Sequence, residues 1–357
     1  MSLSIAQSFQ AQYDALHHAV AVIDRTATDA RLEVSGPDRI EWLQGLLTND
    51  IVGLSPGEGC YAAYLTPQGR MIGDMRVLHR GDRVVLDVVA DARATLLSRL
   101  DQFIIMEDVV LSDVTDATGC LSVVGPQAAT LLSRLADVDG AALAGLAEYH
   151  HVPLTVHGAE GFCAASREWS VPAFDVYLPA GATSSLRTAL QEGDVPLLDE
   201  HVRETVRIEG GRPRFGVDMD AETIPLEAGI EHRAVSLTKG CYVGQEVIIR
   251  VLHRGQGRVA RRLCWLVSAA DADGDVPPFT DAGAVALPWR AGSLLRAGAK
   301  DVGRLTSVCE SPTRKRLLAI GLVHRDAAVS GTSVEVVDGG AWGSARVEML
   351  PQGPVER

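Results

Sequence analysis

The chain has 357 residues, enough for two or three domains with a full hydrophobic core and no disulfide staples. Apolar residues make up 46% and charged residues 22%, an ordinary globular balance, and no apolar run approaches the roughly 18 residues a membrane span needs. The formal net charge of −13 repels phosphate backbones and disfavours direct nucleic-acid binding.

The start, MSLSIAQSFQAQYD, lacks a basic segment followed by an apolar one, so no signal peptide is expected and the expected location is cytoplasmic. A strand–turn–helix unit then recurs. Residues 32–47 (LEVSGPDRIEWLQGLL) read as a strand, a Gly-Pro entry and a helix with Ile40, Leu43, Leu46 and Leu47 on one face. Residues 84–100 repeat the order with Asp91 as the expected N-cap. Residues 121–135 repeat it with a second Gly-Pro entry, and residues 174–190 make a fourth unit. Between the first two units, residues 59–89 read as a meander turning at Pro67–Gly69 and Arg80–Asp82. Hairpins mixed with strand–helix units predict an α+β fold.

From Val195 a helix is expected over LLDEHVRETVRIE, then a Gly/Pro-punctuated stretch to Gln245. After Arg258 short apolar runs alternate with turn residues: RRLCWLV, GSLLRAG, VGRLTSV, LLAIGLV, SVEVV and ARVEML. That spacing predicts a small barrel or sandwich, with Asp271–Pro278 as a loop inside it. The expected domains are 1–255 and 256–357.

Several motifs carry less than they promise. Gly255-Gln256-Gly257-Arg258-Val259-Ala260 matches a dinucleotide fingerprint, but leads into a strand where a helix is required. No phosphate-binding G-x-x-x-x-G-K-[ST] loop occurs. The basic runs Arg250–Arg262 and Arg314–Arg316 read first as solvated faces or partners of the abundant acids. His17-His18, His150-His151 and His157 lack a completing carboxylate or cysteine cluster, so they read as surface histidines and no metal is expected.

The cysteines at 60, 120, 163, 241, 264 and 309 include no C-x-x-C pair, which excludes zinc-finger spacing. Five lie in apolar or strand-like context, where Cys acts as a small buried hydrophobe. Cys241, in KGCYVGQE (239–246), does not. A free thiol titrates at about 8.5, and a neighbouring ammonium or a helix N-terminus lowers that value. Lys239 offers the first and EVIIRVLH, read as a helix, the second. The other reading is a tight turn in which Cys241 packs inward.

KGCYVGQE resembles the signature of the YgfZ family of folate-binding proteins, relatives of the glycine-cleavage T-protein, an aminomethyltransferase. LQGLLTNDI (43–51), YAAYLTPQGRMIGDMRV (61–77) and RIEGGRPRFGVDMDAETIPLEAG (207–229) are similar to further segments of that superfamily. The resemblance implies a three-subdomain T-protein-like cloverleaf with a C-terminal small β-barrel, holding tetrahydrofolate or a one-carbon derivative. It implies Arg207 as a folate contact, against a local reading in which Arg207 pairs with Glu204 or Glu209. Lys239, Gln245 and Glu246 join it as candidate cofactor contacts, and Cys241 and Asp74 are the candidate catalytic residues. Glu227 is expected to hold its own turn. Where T-protein carries two consecutive aspartates, the alignment puts Gly73 and then Asp74, which counts against aminomethyl transfer. Glu168 stands near the expected position of a pterin-binding glutamate, in a stretch that matches poorly.

The function implied is a folate-dependent accessory role in maturation or repair of iron–sulfur enzymes, with reduced folate and iron–sulfur enzymes or their assembly proteins as partners and no membrane. Tetrahydrofolate-dependent aminomethyl transfer is the alternative, and a tRNA-associated binding protein using Arg250–Arg262 is a third reading.

Overall fold

The computed structural model describes residues 8–255, 257–269, 288–337, 339 and 343–351. The loop expected at Asp271–Pro278 and Gln256 of the glycine-rich match lie outside the described residues. The chain divides into two compact units. The first holds residues 1–65, 72–203 and 234–243; the second holds 66–71, 204–233 and 244–357.

In chain order the first unit draws on α1 (Phe9–His18), β1 (Ala21–Asp24), β2 (Asp29–Ser35), α2 (Arg39–Leu46), β3 (Gly59–Leu65), β4 (Met71–His79), β5 (Arg83–Val89), α3 (Arg93–Asp101), β6 (Val110–Asp113), β7 (Thr118–Val124), α4 (Ala128–Leu135), α5 (Gly140–Ala144), β8 (His151–Val156), β9 (Ala159–Ser166), β10 (Ala173–Pro179), α6 (Ala180–Glu192) and the start of α7 (Glu200–Glu209). All four strand–turn–helix units form. The two Gly-Pro entries need their glycines: Gly36 and Gly125 have φ of +101° and +122°, and a Cβ at either would lie within 3 Å of a main-chain oxygen. Asp91 does not cap α3. It sits inside a 3₁₀ turn, Ala90–Ala92, that leads into the helix without a side-chain cap.

These strands make two five-stranded sheets, ordered β1-β7-β10-β9-β8 and β3-β4-β5-β2-β6. Leu132 of α4 and Leu186 and Leu190 of α6 pack on the first sheet against Leu121, Val123, Val176 and Leu178. Such burial is the main drive for this layer.

The second unit continues with α8 (Pro225–Ala228), α9 (Glu231–Ala234, ending at the boundary), α10 (Gln245–His253) and strands β11 (Arg261–Ser268), β12 (Leu294–Ala297), β13 (Lys300–Ser311), β14 (Arg316–His324), β15 (Ser333–Val336) and β16 (Ser344–Met349). The six short apolar runs thus become the six strands of a closed barrel, ordered β11-β14-β13-β12-β15-β16. Closure removes the exposed strand edges that open sheets must protect. Cys264, Leu266, Trp289, Leu305 and Val347 fill its interior.

The two sheets of the first unit meet across buried charge. Arg25, 3% exposed, follows β1 and donates to Asp29 (2.5 Å) and Asp87 (2.8 Å) and pairs with Asp175 (2.9 Å). Arg76 of β4 adds contacts to Asp29 (3.2 Å) and Asp87 (3.1 Å). Ser122 donates to Asp175, and Tyr177 donates to Asp87. A second contact lies at His151. It is buried, not on the surface as its sequence context suggests, and its ring nitrogens lie 3.2 Å from Tyr149 O and 3.1 Å from His79 O. Burial brings it down to about 4, so the ring is neutral in the fold.

Three carboxylates share two guanidinium groups, and the excess negative charge has a titration consequence. Burial pushes Asp29 up to about 6, with Arg25 opposing and Asp87 reinforcing. The unfolded carboxyl titrates at about 3.9. Between those values the folded state binds the extra proton, so this group's contribution to stability is full below the unfolded value and is lost as pH rises through the folded one. Asp29→Asn is therefore expected to match wild type near pH 4 and to exceed it above pH 6 by about 2–3 kcal/mol. Urea denaturation of both proteins across that range measures the difference.

Candidate functional site

Three of the motif segments converge in the first unit. Helix α2 ends inside LQGLLTNDI, where the last carbonyls have no intrahelical partners. Lys239 supplies them: its Nζ donates to Gln44 O (2.6 Å), Leu47 O (2.6 Å) and Asn49 O (2.9 Å). The ammonium also lies 5.1 Å from the centre of the Tyr242 ring. Thr48 Oγ1 donates to Ala234 O (2.6 Å) and accepts from the Ala63 amide (2.8 Å), tying the 234–243 segment to β3. Asn49 donates to Tyr61 O (2.8 Å). Burial lowers Lys239 to about 8, with Asp50 and Cys60 opposing.

Lys239 is thus a clamp on the α2 terminus. Its three N–H donors are engaged by main-chain oxygens. What distinguishes Cys241 is accessibility: it is exposed, whereas Cys120, Cys163, Cys264 and Cys309 are buried and Cys60 is half-buried. Burial pushes Cys60 and Cys264 up to about 12 and raises Cys120, Cys163 and Cys309 well above the ordinary thiol range. After Cys241 the chain turns back inward: Tyr242 is buried, and Val243 lines a small cleft with Trp42, Leu46 and Phe103.

The β3–β4 hairpin carries the other candidate. Asp74 is half-buried on β4 and accepts from Tyr61 Oη at 2.5 Å. Gly73 is buried, and a Cβ there would lie 3.2 Å from both methyl carbons of Leu96 on α3. Adjacent strand residues face opposite sides. A carboxylate at 73 would therefore enter the apolar layer, while Asp74 occupies the polar face. The absence of an aspartate at 73 is no argument against carboxylate chemistry at this hairpin.

Family models match most of the chain. Residues 3–239 match the model of the GCVT N-terminal domain, and residues 279–351 match that of the glycine cleavage T-protein C-terminal barrel domain. The chain belongs to the glycine cleavage T-protein family. An aminomethyltransferase of Moorella thermoacetica is 30% identical over 330 residues, 90% of this chain and 83% of that protein. A chloroplastic Arabidopsis thaliana protein, whose name proposes that it is a transferase, is 28% identical over 325 residues, covering 90% of this chain and 69% of its own. The crystal structure of glycine cleavage system aminomethyltransferase T from Bartonella henselae superposes with a TM-score of 0.80 at 21% identity, covering 96% of this chain and 89% of that one, so the fold is T-protein-like.

The remaining candidates belong to the second unit of this T-protein-like chain. Arg207, at the end of α7, is 6% exposed and all its donors are engaged. Nε and Nη2 reach Glu204 (3.1 and 2.8 Å), Nη1 reaches Arg212 O (2.6 Å) and Asp218 (2.7 Å), and Nη2 reaches Ser307 (2.7 Å). The pairing with Glu204 that its helical position suggests is the one that forms, and no N–H is left over for a folate. Asp218 also accepts from Thr306 and Ser307 at a bulge in β13. Glu227 does hold its turn, accepting from the Ile224 amide (3.4 Å) and from Arg261 (3.3 Å). Gln245 and Glu246 open α10 behind Gly244, and Glu246 in the first turn complements the helix dipole. Glu168, in the first unit, accepts from Tyr149 Oη (3.1 Å).

The basic runs are neutralised only in part, since Arg250, Arg254 and Arg258 are exposed and have no ion pair among the described residues. Arg261 pairs with Glu227, Arg262 lies 4.0 Å from Glu231, and Arg314 pairs with Glu348 at 2.7 Å. No helix among the described residues is long and apolar enough to cross a membrane.

Two outcomes follow from these positions. Gly73→Asp would bury a carboxylate against Leu96, and a loss of about 3 kcal/mol or more is expected, read as a lower melting temperature with no gain of activity. Arg207→Ala strands the buried Asp218 charge and is expected to cost about 3–5 kcal/mol, measured by urea denaturation.

Proposed function

We propose that this protein binds a reduced folate and performs one-carbon chemistry of the aminomethyl-transfer type, with Asp74 as the participating carboxylate. The observation that carries the reading is the Asp74–Tyr61 pair on the polar face of the β3–β4 hairpin, in a chain 30% identical to an aminomethyltransferase. The donor set fits a polar heterocycle: Asp74 with Tyr61, and Glu168 with Tyr149, are carboxylate–phenol pairs within the same unit. Tetrahydrofolate, when bound, supplies the nitrogen that accepts the one-carbon unit. Tyr61 fixes the Asp74 carboxylate, and Asp74 takes up or returns the proton as that nitrogen changes substitution.

A second reading is favoured by a separate observation, the exposed Cys241 within K-G-C-Y-V-G-Q-E. In it, the folate-bound protein supports maturation or repair of iron–sulfur enzymes, and Cys241 carries the adduct, sulfur or redox step.

Calorimetry with tetrahydrofolate tests what both readings share: saturable binding is expected, and no affinity for any reduced folate would sink both. A reconstituted glycine-cleavage assay then separates them. Under the first, Asp74→Asn lowers transfer by roughly 10²–10⁴-fold while Cys241→Ser leaves it intact. Under the second, wild type shows no transfer, and Cys241→Ser abolishes support of iron–sulfur enzymes in cells.

A further inference from the structure

A second cleft opens in the first unit, between β2, β5 and the β4–β5 turn on one side and the strands β8–β10 on the other. Its volume is about 600 Å³, in the range of small-molecule sites. Val85, Leu154 and Leu178 give it apolar wall, and Arg31, Arg80 and Arg83 give it positive charge. The three arginines are not equivalent. Arg83 pairs with Asp82 (2.9 Å) and Glu33 (3.3 Å). Arg31 is 1% exposed and donates to main-chain oxygens of Thr26, Asp29, Thr115 and Thr118 and to Thr118 Oγ1, so its hydrogen bonds are satisfied while its charge has no acidic partner among the described residues.

Arg80 is the unfinished one. Its guanidinium carbon lies 4.1 Å from the centre of the Phe162 ring, which stacks in turn on Tyr177 at 4.5 Å and 10°. No side-chain hydrogen bond or ion pair engages it among the described residues. Burial, reinforced by the neighbouring Arg83, holds it below the ordinary arginine range. A flat cation is thus fixed on an aromatic stack with its donor edge unused, beside a buried Arg31 that is held by main-chain oxygens. Asp74 stands six residues back on the same strand, about 20 Å away, with Arg76 and its buried partners between them.

We propose that this cleft is a binding site for a small organic monocarboxylate with a flat or apolar body, whose carboxylate accepts paired hydrogen bonds from Arg80. A planar fork and a carboxylate match in geometry, and the Phe162 side supplies the apolar surface. A single negative charge is the better fit than a phosphate dianion. Glu33, Asp82 and Glu160 also line the cleft, so the charges of its three acids and three arginines cancel before the ligand enters. The site is independent of the reduced-folate reading.

The test is calorimetry of the full chain with benzoate, benzamide and phenyl phosphate. Benzoate should saturate with a dissociation constant of about 1–10 mM, as its size allows, and neutral benzamide should not bind. Arg80→Gln should weaken benzoate at least tenfold, while Glu160→Gln, at an exposed position, should tighten it by removing a like charge. The Glu160 arm keeps the test decisive if Arg80→Gln misfolds. Equal binding of benzoate and benzamide, unchanged affinity in both variants, or no saturation by benzoate would overturn the proposal. Tighter binding of phenyl phosphate than of benzoate would overturn the monocarboxylate assignment.

Discussion

Burying Arg25 among Asp29, Asp87 and Asp175 constrains everything else in the first unit. An unpaired guanidinium or carboxylate at such burial costs several kcal/mol, so each member must be delivered to within hydrogen-bond reach of the others. Asp29, Asp87 and Arg76 come from one sheet, Asp175, Ser122 and Tyr177 from the other, and Arg25 from the turn joining β1 to β2. The cluster therefore fixes the face-to-face registry of the two sheets. Replacing it with well-packed apolar residues could be as stable, but apolar faces slide where ion pairs do not. Its chemical use is geometric: the same face of β4 carries Asp74 on one side of the cluster and leads to Arg80 on the other, so both sites rest on one fixed layer.

The second unit uses the same device. Asp218 gathers Arg207, Thr306 and Ser307, joining α7 to a bulge of β13. The bulge matters because regular alternation would send Thr306 and Ser307 to opposite faces. With one residue inserted, both hydroxyls reach the same carboxylate. An arginine so thoroughly bound cannot also grip a ligand without surrendering a buried partner, and that exchange is too costly for a contact worth about 1.5–3 kcal/mol.

Local pattern was enough for the elements. The four strand–helix units, the meander and the barrel strands follow from period and turn residues, because each side chain there answers to solvent on one side and core on the other. The facing of Gly73 was also legible. Met71, Gly73, Met75 and Val77 form one apolar set in MIGDMRV, and Ile72, Asp74 and Arg76 the other, so alternation assigns position 73 to the core whatever the alignment suggests. Long-range partners were not legible. VIDRTATDARLEV reads as a solvated turn with charges at either end, and nothing within it says that Arg25 faces Asp175, 150 residues later. The same blindness applies to Arg80 and Phe162, whose stacking depends on two sheets meeting.

In KGCYVGQE the lysine and the cysteine make different contacts. Lys239 is two residues from Cys241, yet its ammonium is held by three carbonyls at the end of α2 and its charge is felt by Cys60 and Asp50. A lysine satisfied in that way stabilises the turn. Selectivity among six cysteines comes from the other five. Burial suppresses the thiolate at five of them, and Cys241 alone remains where a reagent or partner can reach it. The motif's lysine, glycines and tyrosine act by anchoring the chain on either side of one exposed residue: Lys239 clamped before it, Tyr242 buried after it.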